Sequence, residues 1–256
     1  MRVSQTSLPS RQAQRGEERG HLFLVADGMG GHQAGERASE LAVLAIEQFT
    51  LNTFKGFFES SGPDAQRALA QFQAAVKAAD AKIVEEAAEN PDLRGMGTTV
   101  TMAYQLGSQL CIVHAGDSRA YVYRNDSLHQ LTQDHTMVAD MVRAGTLEPE
   151  DAAGHRLRHV VNNVVGGPSE GVFVEAHAVQ LQAGDRLLLC SDGLTEMVTN
   201  DEISEVLREK SEPEAACQQL LERAIGAGGN DNVTIVVARF DPLDSPNSFG
   251  PTTLTS

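Results

Sequence analysis

No apolar run in this chain approaches the ~20 residues that cross a bilayer. The N-terminal stretch of residues 1–8 also lacks an apolar segment of the kind that directs secretion. Basic residues are in short supply: 20 Lys and Arg stand against 35 Asp and Glu, for a formal net charge of −15. That balance argues against nucleic acid, whose phosphates need a basic face. Cysteine is scarce too. Cys111, Cys190 and Cys217 are widely spaced and two lie inside apolar runs, as buried free thiols in a reducing compartment do. These absences describe a cytoplasmic protein with neither membrane nor nucleic acid as partner. What the chain does have is 256 residues, 41% of them hydrophobic, enough for a substantial globular core.

Residues 1–20 are polar and without periodicity, and read as an irregular leader. Residues 242–256 are rich in Pro, Ser and Thr and read as a frayed tail. Between them, 21–241 form one domain. Ala38, Leu41, Ala45 and Phe49 fall at helical spacing over 36–49, and Leu69, Phe72, Val76 and Ile83 mark one face of a helix over 63–88. Strands over 98–104, 110–114 and 119–123 are separated by short Gly-containing turns, as in an antiparallel meander. A helix is expected over 132–143, opened by Thr132 and Asp134 as caps. A glycine-rich loop over 145–170 precedes strands at 172–179 and 185–190, helices at 201–209 and 213–227, and a last strand at 233–240. Strands and helices come in separate groups rather than in βαβ alternation, which favours an α+β fold with antiparallel sheets.

Three acids stand at the ends of these apolar runs. Leu22-Phe-Leu-Val-Ala26 breaks off at Asp27-Gly28, Leu187-Leu-Leu-Cys190 at Ser191-Asp192-Gly193, and Asp231-Asn232 precedes Val233. An unpaired buried carboxylate costs several kcal/mol or shifts its pKa, and a divalent cation removes that cost. The arrangement reads as a metal centre. Other segments are ordinary alone: the Gly95–Val100 stretch is a loop entering a strand, Gly116-Asp117 suits a hairpin turn, and Asp134 suits a helix cap.

Taken together and in order, the segments VADGMGGHQAGE, GMGTTVT, HAGDSRAYVYR, LTQDHT, LCSDGLTEMV and GGNDNVTIVV resemble the metal-dependent protein phosphatases of type 2C, in their bacterial form. The resemblance implies a four-layer α-β-β-α sandwich of two packed antiparallel sheets. It implies two divalent cations, Mn²⁺ or Mg²⁺, bridged by Asp27, with the Gly28 carbonyl on one and Asp192 with Asp231 on the other. Asp117 with Asp192 matches a weaker third site. Three carboxylates alone repel a phosphate dianion; two divalent cations reverse that sign and activate a water for direct attack. The implied reaction is hydrolysis of phosphoserine and phosphothreonine in proteins that serine/threonine kinases have phosphorylated. His32, in the metal loop, is a candidate substrate contact or a structural residue, and residues 137–168 correspond to a variable flap that influences substrate choice.

One part of the pattern is missing. Family members begin with a strand carrying Arg-x-x-Asn-x-Asp, whose arginine helps bind phosphate; here no arginine before the metal loop is followed by that pattern, and no aspartate precedes Asp27. The expectation is therefore a chain lacking its first strand, and the competing reading is a non-catalytic or crippled member that binds phosphoprotein partners.

Overall fold

The computed structural model describes the backbone of residues 2–7, 20–60, 64–167, 171–241 and 252–255, and the side chains of these segments apart from 2–7, 32, 53–60 and 252–255. In chain order the strands are β1 (Arg2–Ser7), β2 (His21–Ala26), β3 (Gly28–Met29), β4 (Gly97–Thr98), β5 (Val100–Leu106), β6 (Gln109–Ala115), β7 (Arg119–Arg124), β8 (Ser127–Gln130), β9 (Glu175–Gln180), β10 (Arg186–Cys190), β11 (Thr234–Arg239) and β12 (Thr252–Thr255). The helices are α1 (His32–Ser60), α2 (Ala65–Glu89), α3 (Met137–Arg143), α4 (Pro149–Ala152), α5 (Asp192–Thr195), α6 (Asn200–Glu209) and α7 (Pro213–Gly226). One antiparallel sheet runs β1-β2-β5-β6-β9, the other β12-β11-β10-β7-β8.

The central strands are apolar at nearly every position because both of their faces are covered. Along β2, Leu22, Leu24 and Ala26 meet α1 and α2, while Phe23 and Val25 meet the opposite sheet. Along β10, Leu187 and Leu189 point between the sheets, and Leu188 and Cys190 point towards α6 and α7. β11 repeats the rule, with Val236 and Ala238 inward and Ile235 and Val237 outward. The period-two alternation of a strand thus builds three stacked apolar layers: helix on sheet, sheet on sheet, and sheet on helix. The chain is the expected α+β sandwich of four layers.

Several local expectations are corrected. Residues 2–7, assigned to an irregular leader that lacked a first strand, form an edge strand in register with β2, from Arg2 opposite Ala26 to Ser7 opposite His21. Residues 252–255, assigned to a frayed tail, pair with β11. Both are edge strands of mostly polar sequence, RVSQTS and TTLT, with one apolar residue each, so periodicity does not reveal them. The helix expected from 132 starts instead at Met137, capped by Thr136, whose Oγ1 accepts from the Ala139 N–H at 3.1 Å. Thr132 and Asp134 serve elsewhere. The segment from α3 to residue 167 lies over one end of the sandwich and is pinned by paired bonds between Thr98 and Val165, and by the Gly166 N–H donating to Asp80 Oδ1 at 2.6 Å.

The layer between the sheets has no access to water, so its truncation leaves a cavity. Leu189→Ala is expected to lower unfolding stability by about 2–5 kcal/mol, whereas Ile225→Ala, at a side chain 55% exposed, changes it by less than about 0.5 kcal/mol. Denaturant midpoints of the two variants check the contrast.

Candidate metal centre

Four aspartates reach one place from four separate segments. Asp27 follows β2, Asp117 lies between β6 and β7, Asp192 follows β10, and Asp231 precedes β11. The two sheets therefore contribute to the same end of the sandwich. Close backbone contacts bring the segments together. A Cβ on Gly193 would stand 2.3 Å from the Asn232 carbonyl oxygen, so only glycine lets the Asp192 turn touch the Asp231 turn. Buried Ser191 fastens the same junction: its Oγ accepts from the Thr234 N–H at 3.0 Å, and its own N–H donates to the Thr234 carbonyl at 3.1 Å. On the other side, a Cβ on Gly28 would fall 1.9 Å from the Gly35 carbonyl oxygen, so glycines at both positions let β3 lie directly on the first turn of α1.

The main chain of Asp27 is held at three points by two threonines. Its N–H donates to Thr99 Oγ1 at 2.9 Å, and its carbonyl accepts from the Thr99 N–H at 2.8 Å and from Thr98 Oγ1 at 2.9 Å. Thr99 Oγ1 also bonds Ser118 Oγ at 2.8 Å, which ties the Asp27 turn to the residue after Asp117. Arg119 then grips Asp134 through two bonds, Nε to Oδ1 at 2.8 Å and an Nη to Oδ2 at 2.6 Å. Asp134 is thus an anchor for Arg119 rather than a helix cap. Thr132 Oγ1 accepts from the Ala120 N–H at 3.1 Å, fixing the same loop against β7.

These four carboxylates repel one another. Burial, then the charges of Asp192, Asp231 and Asp117, push the Asp27 carboxyl up to about 8. Burial and Asp192 push Asp117 up to about 7. Asp192 is raised as well, by burial first and then by Asp231 and Glu196. One buried oxygen, Asp192 Oδ1, has no hydrogen-bond partner. An orphaned carboxylate oxygen beside mutually repelling, oxygen-only donors fits a hard divalent cation and does not fit a site for a soft metal. Asp27, Gly28, Asp117, Asp192 and Asp231 all lie in this one constellation. The side chain of His32 is outside the described residues.

A second group of possible ligands is committed otherwise. His114, His135 and Glu175 place ligand atoms within 4.8 Å of one another. His114 is fully buried and its nitrogens are used, Nε2–H donating to the Gln133 carbonyl at 3.0 Å and Nδ1 accepting from Thr101 Oγ1 at 2.9 Å. Burial pushes its pKa down to about 3, so it stays neutral. His135 Nδ1 accepts from the Gly116 N–H at 3.1 Å and from Asn163 Nδ2 at 2.9 Å, which braces the turn just before Asp117. Both rings are framework.

A cleft of about 800 Å³ opens beside the acids, with Asp117 and Asp192 on its wall and α3 and α4 along it. The sequence segments GMGTTVT and LTQDHT marked this region, but their threonines and Asp134 read alone as loop and cap residues. No single-residue signal shows that they brace Asp27 and Asp117 from a distance.

Residues 10–225 match the family model described as protein phosphatase 2C. The serine/threonine phosphatase stp of Listeria innocua is 36% identical over 216 residues, which are 84% of this chain and 83% of that one. The serine/threonine protein phosphatase PstP of Mycobacterium tuberculosis is 40% identical over 217 residues, 85% of this chain, though the match spans 40% of that longer protein. The crystal structure of the PstP catalytic domain in complex with two manganese ions is similar at a TM-score of 0.71 and 35% identity, covering 92% of this chain and 95% of that one.

A carboxyl raised in the folded state favours folding below its unfolded value, 3.8, and loses that advantage as pH rises through its folded value. In excess chelator the melting temperature is therefore expected to fall from about pH 4 upward and to level off above about 7 for Asp117 and about 8 for Asp27. Asp27→Asn removes part of that decline. Melting curves across the range, with and without chelator, check both statements, and added Mn²⁺ raises the melting temperature most at the alkaline end.

Proposed function

We propose a mechanism on one premise: the chain belongs to the protein phosphatase 2C family. It is a metal-dependent serine/threonine protein phosphatase that hydrolyses phosphoserine and phosphothreonine in proteins. Asp27, the Gly28 carbonyl, Asp192 and Asp231 would hold two divalent cations, Mn²⁺ or Mg²⁺, with Asp117 and Asp192 taking a weaker third. The two manganese ions of the similar PstP catalytic domain support that count and that metal. When bound, such a pair supplies the positive field that receives a phosphate dianion and lowers the pKa of a water for in-line attack.

The protein's own groups set the rest. Thr98 and Thr99 fix the Asp27 main chain and so the place from which its carboxylate faces the acids of the second sheet. The Gly193–Asn232 contact holds Asp192 against Asp231. The bidentate Arg119–Asp134 pair and the His135–Gly116 bond hold the Asp117 turn at the cleft wall. Until their charge is balanced the four acids exclude a phosphate, so turnover depends wholly on metal. A thiolate route has no support, because burial pushes Cys111 up to about 11 and Cys190 and Cys217 up to about 12. The observation that carries this reading is the orphaned Asp192 oxygen among mutually repelling acids.

We further infer a single catalytic domain over 21–241, flanked by its edge strands, with a flap at about 137–168. Three buried free cysteines support a cytoplasmic setting, and among the described residues no helix is long and apolar enough to cross a membrane. Substrates would then be phosphoproteins of a serine/threonine kinase signalling system.

Hydrolysis of a small aryl phosphate is expected only with Mn²⁺ or Mg²⁺ present, and to fall by about a hundredfold or more in Asp192→Ala. Turnover in excess chelator, or an unaffected variant, would contradict the assignment.

A further inference from the structure

We propose that Arg158 selects phosphoprotein segments carrying an acidic residue close to the phosphorylated one. This rests on the phosphatase reading and adds a substrate class to it. The cleft beside Asp117 and Asp192 is lined by three arginines and a histidine. Three of these four basic side chains are already committed: Arg119 to Asp134, Arg143 to Asp140, and His159 to Glu196. Arg158 is exposed and pairs with no acid among the described residues. Once cations balance Asp117 and Asp192, it is the arginine of the cleft left without an acid partner among the described residues.

The surroundings suit an extended chain. Val138, Ala139 and Val142 of α3, with Pro149 and Ala152 of α4, give the cleft an apolar wall continuous with the acid cluster. The segment carrying Arg158 is ordered by main-chain bonds, Arg158 N–H to the His155 carbonyl at 3.1 Å and Met137 N–H to the Val160 carbonyl at 2.9 Å. A peptide with its phosphate at the aspartates and its backbone along α3 and α4 thus meets one free guanidinium. The planar fork of arginine matches a carboxylate better than any other side chain does. Because the group is exposed and screened, it acts on selectivity, with a modest effect.

The test uses the Mn²⁺-loaded protein and phosphothreonine peptides differing only in one Asp, Ala or Lys, moved through the flanking positions. At low salt and the most responsive position, kcat/KM is expected to rank Asp above Ala above Lys, with Asp over Lys by about three- to fivefold. Arg158→Lys keeps the order, Arg158→Glu reverses it, and added salt shrinks the ratio in the unsubstituted protein. The readout is the order among peptides, which a loss of folding in the variant would lower uniformly. An unchanged order in Arg158→Glu, or a ratio in the unsubstituted protein that ignores salt, overturns the proposal. Absence of metal-dependent aryl phosphate hydrolysis in the unsubstituted protein would instead overturn the phosphatase reading itself, and this inference with it.

Discussion

Like-charge repulsion among Asp27, Asp117, Asp192 and Asp231 is the constraint around which this end of the molecule is built. Asp27, Asp117 and Asp192 are partly withdrawn from water, and burial with the neighbouring acids raises them, to about 8 for Asp27 and about 7 for Asp117. A fold driven only by stability would not assemble such a cluster. It persists because the loops carrying the acids are fixed by bonds that do not involve the carboxylates: two threonines on Asp27, a serine at the Asp192–Asp231 junction, and an arginine and a histidine around Asp117. The framework holds the acids in place while the charge itself is left for a cation to neutralise.

The position of the cluster follows from the sandwich. Asp27 extends from one sheet, Asp192 and Asp231 from the other, and Asp117 sits on the turn that passes between them. The apolar layer of Phe23, Val25, Leu187, Leu189 and Val236 sets the spacing of the sheets and so the spacing of the acids. Packing and chemistry are therefore linked through the chain: a strand that alternates its side chains between two apolar layers ends at a fixed height, and the residue after it is placed to within a turn. A bound cation would link acids carried by both sheets at one end, which is why metal is expected to report in thermal stability as well as in turnover.

Much of this was legible in the sequence, for identifiable reasons. The central strands announced themselves as continuous apolar runs, and the acids at their ends stood out because nothing in a plain turn requires them. The ordered motifs then gave the family. The edge strands at 2–7 and 252–255 were hidden because RVSQTS and TTLT each hold a single apolar residue, too few to show a strand's period. Asp134 was misread because an aspartate three residues before a helix looks the same whether it caps the helix or grips an arginine fifteen positions away in sequence. Thr99, Ser118 and His135 belong to the same category: each supports the site through a hydrogen bond to a residue distant in sequence, and one-dimensional periodicity carries no trace of such a bond. Arg158 could be singled out only after the partners of its neighbours were known.

The claim that everything else depends on is that the four aspartates form a divalent-cation centre in which Asp27 and Asp117 are partly protonated until metal arrives. Calorimetric titration of the metal-free protein with Mn²⁺, in buffers of different ionisation enthalpy, measures this directly, because cations that displace protons give a buffer-dependent heat. Binding at pH 7 is expected to release about one proton or more per chain, and fewer at pH 9, above the values of about 8 and about 7 for Asp27 and Asp117. Heats that do not depend on the buffer at pH 7, or no binding at all, would contradict the account.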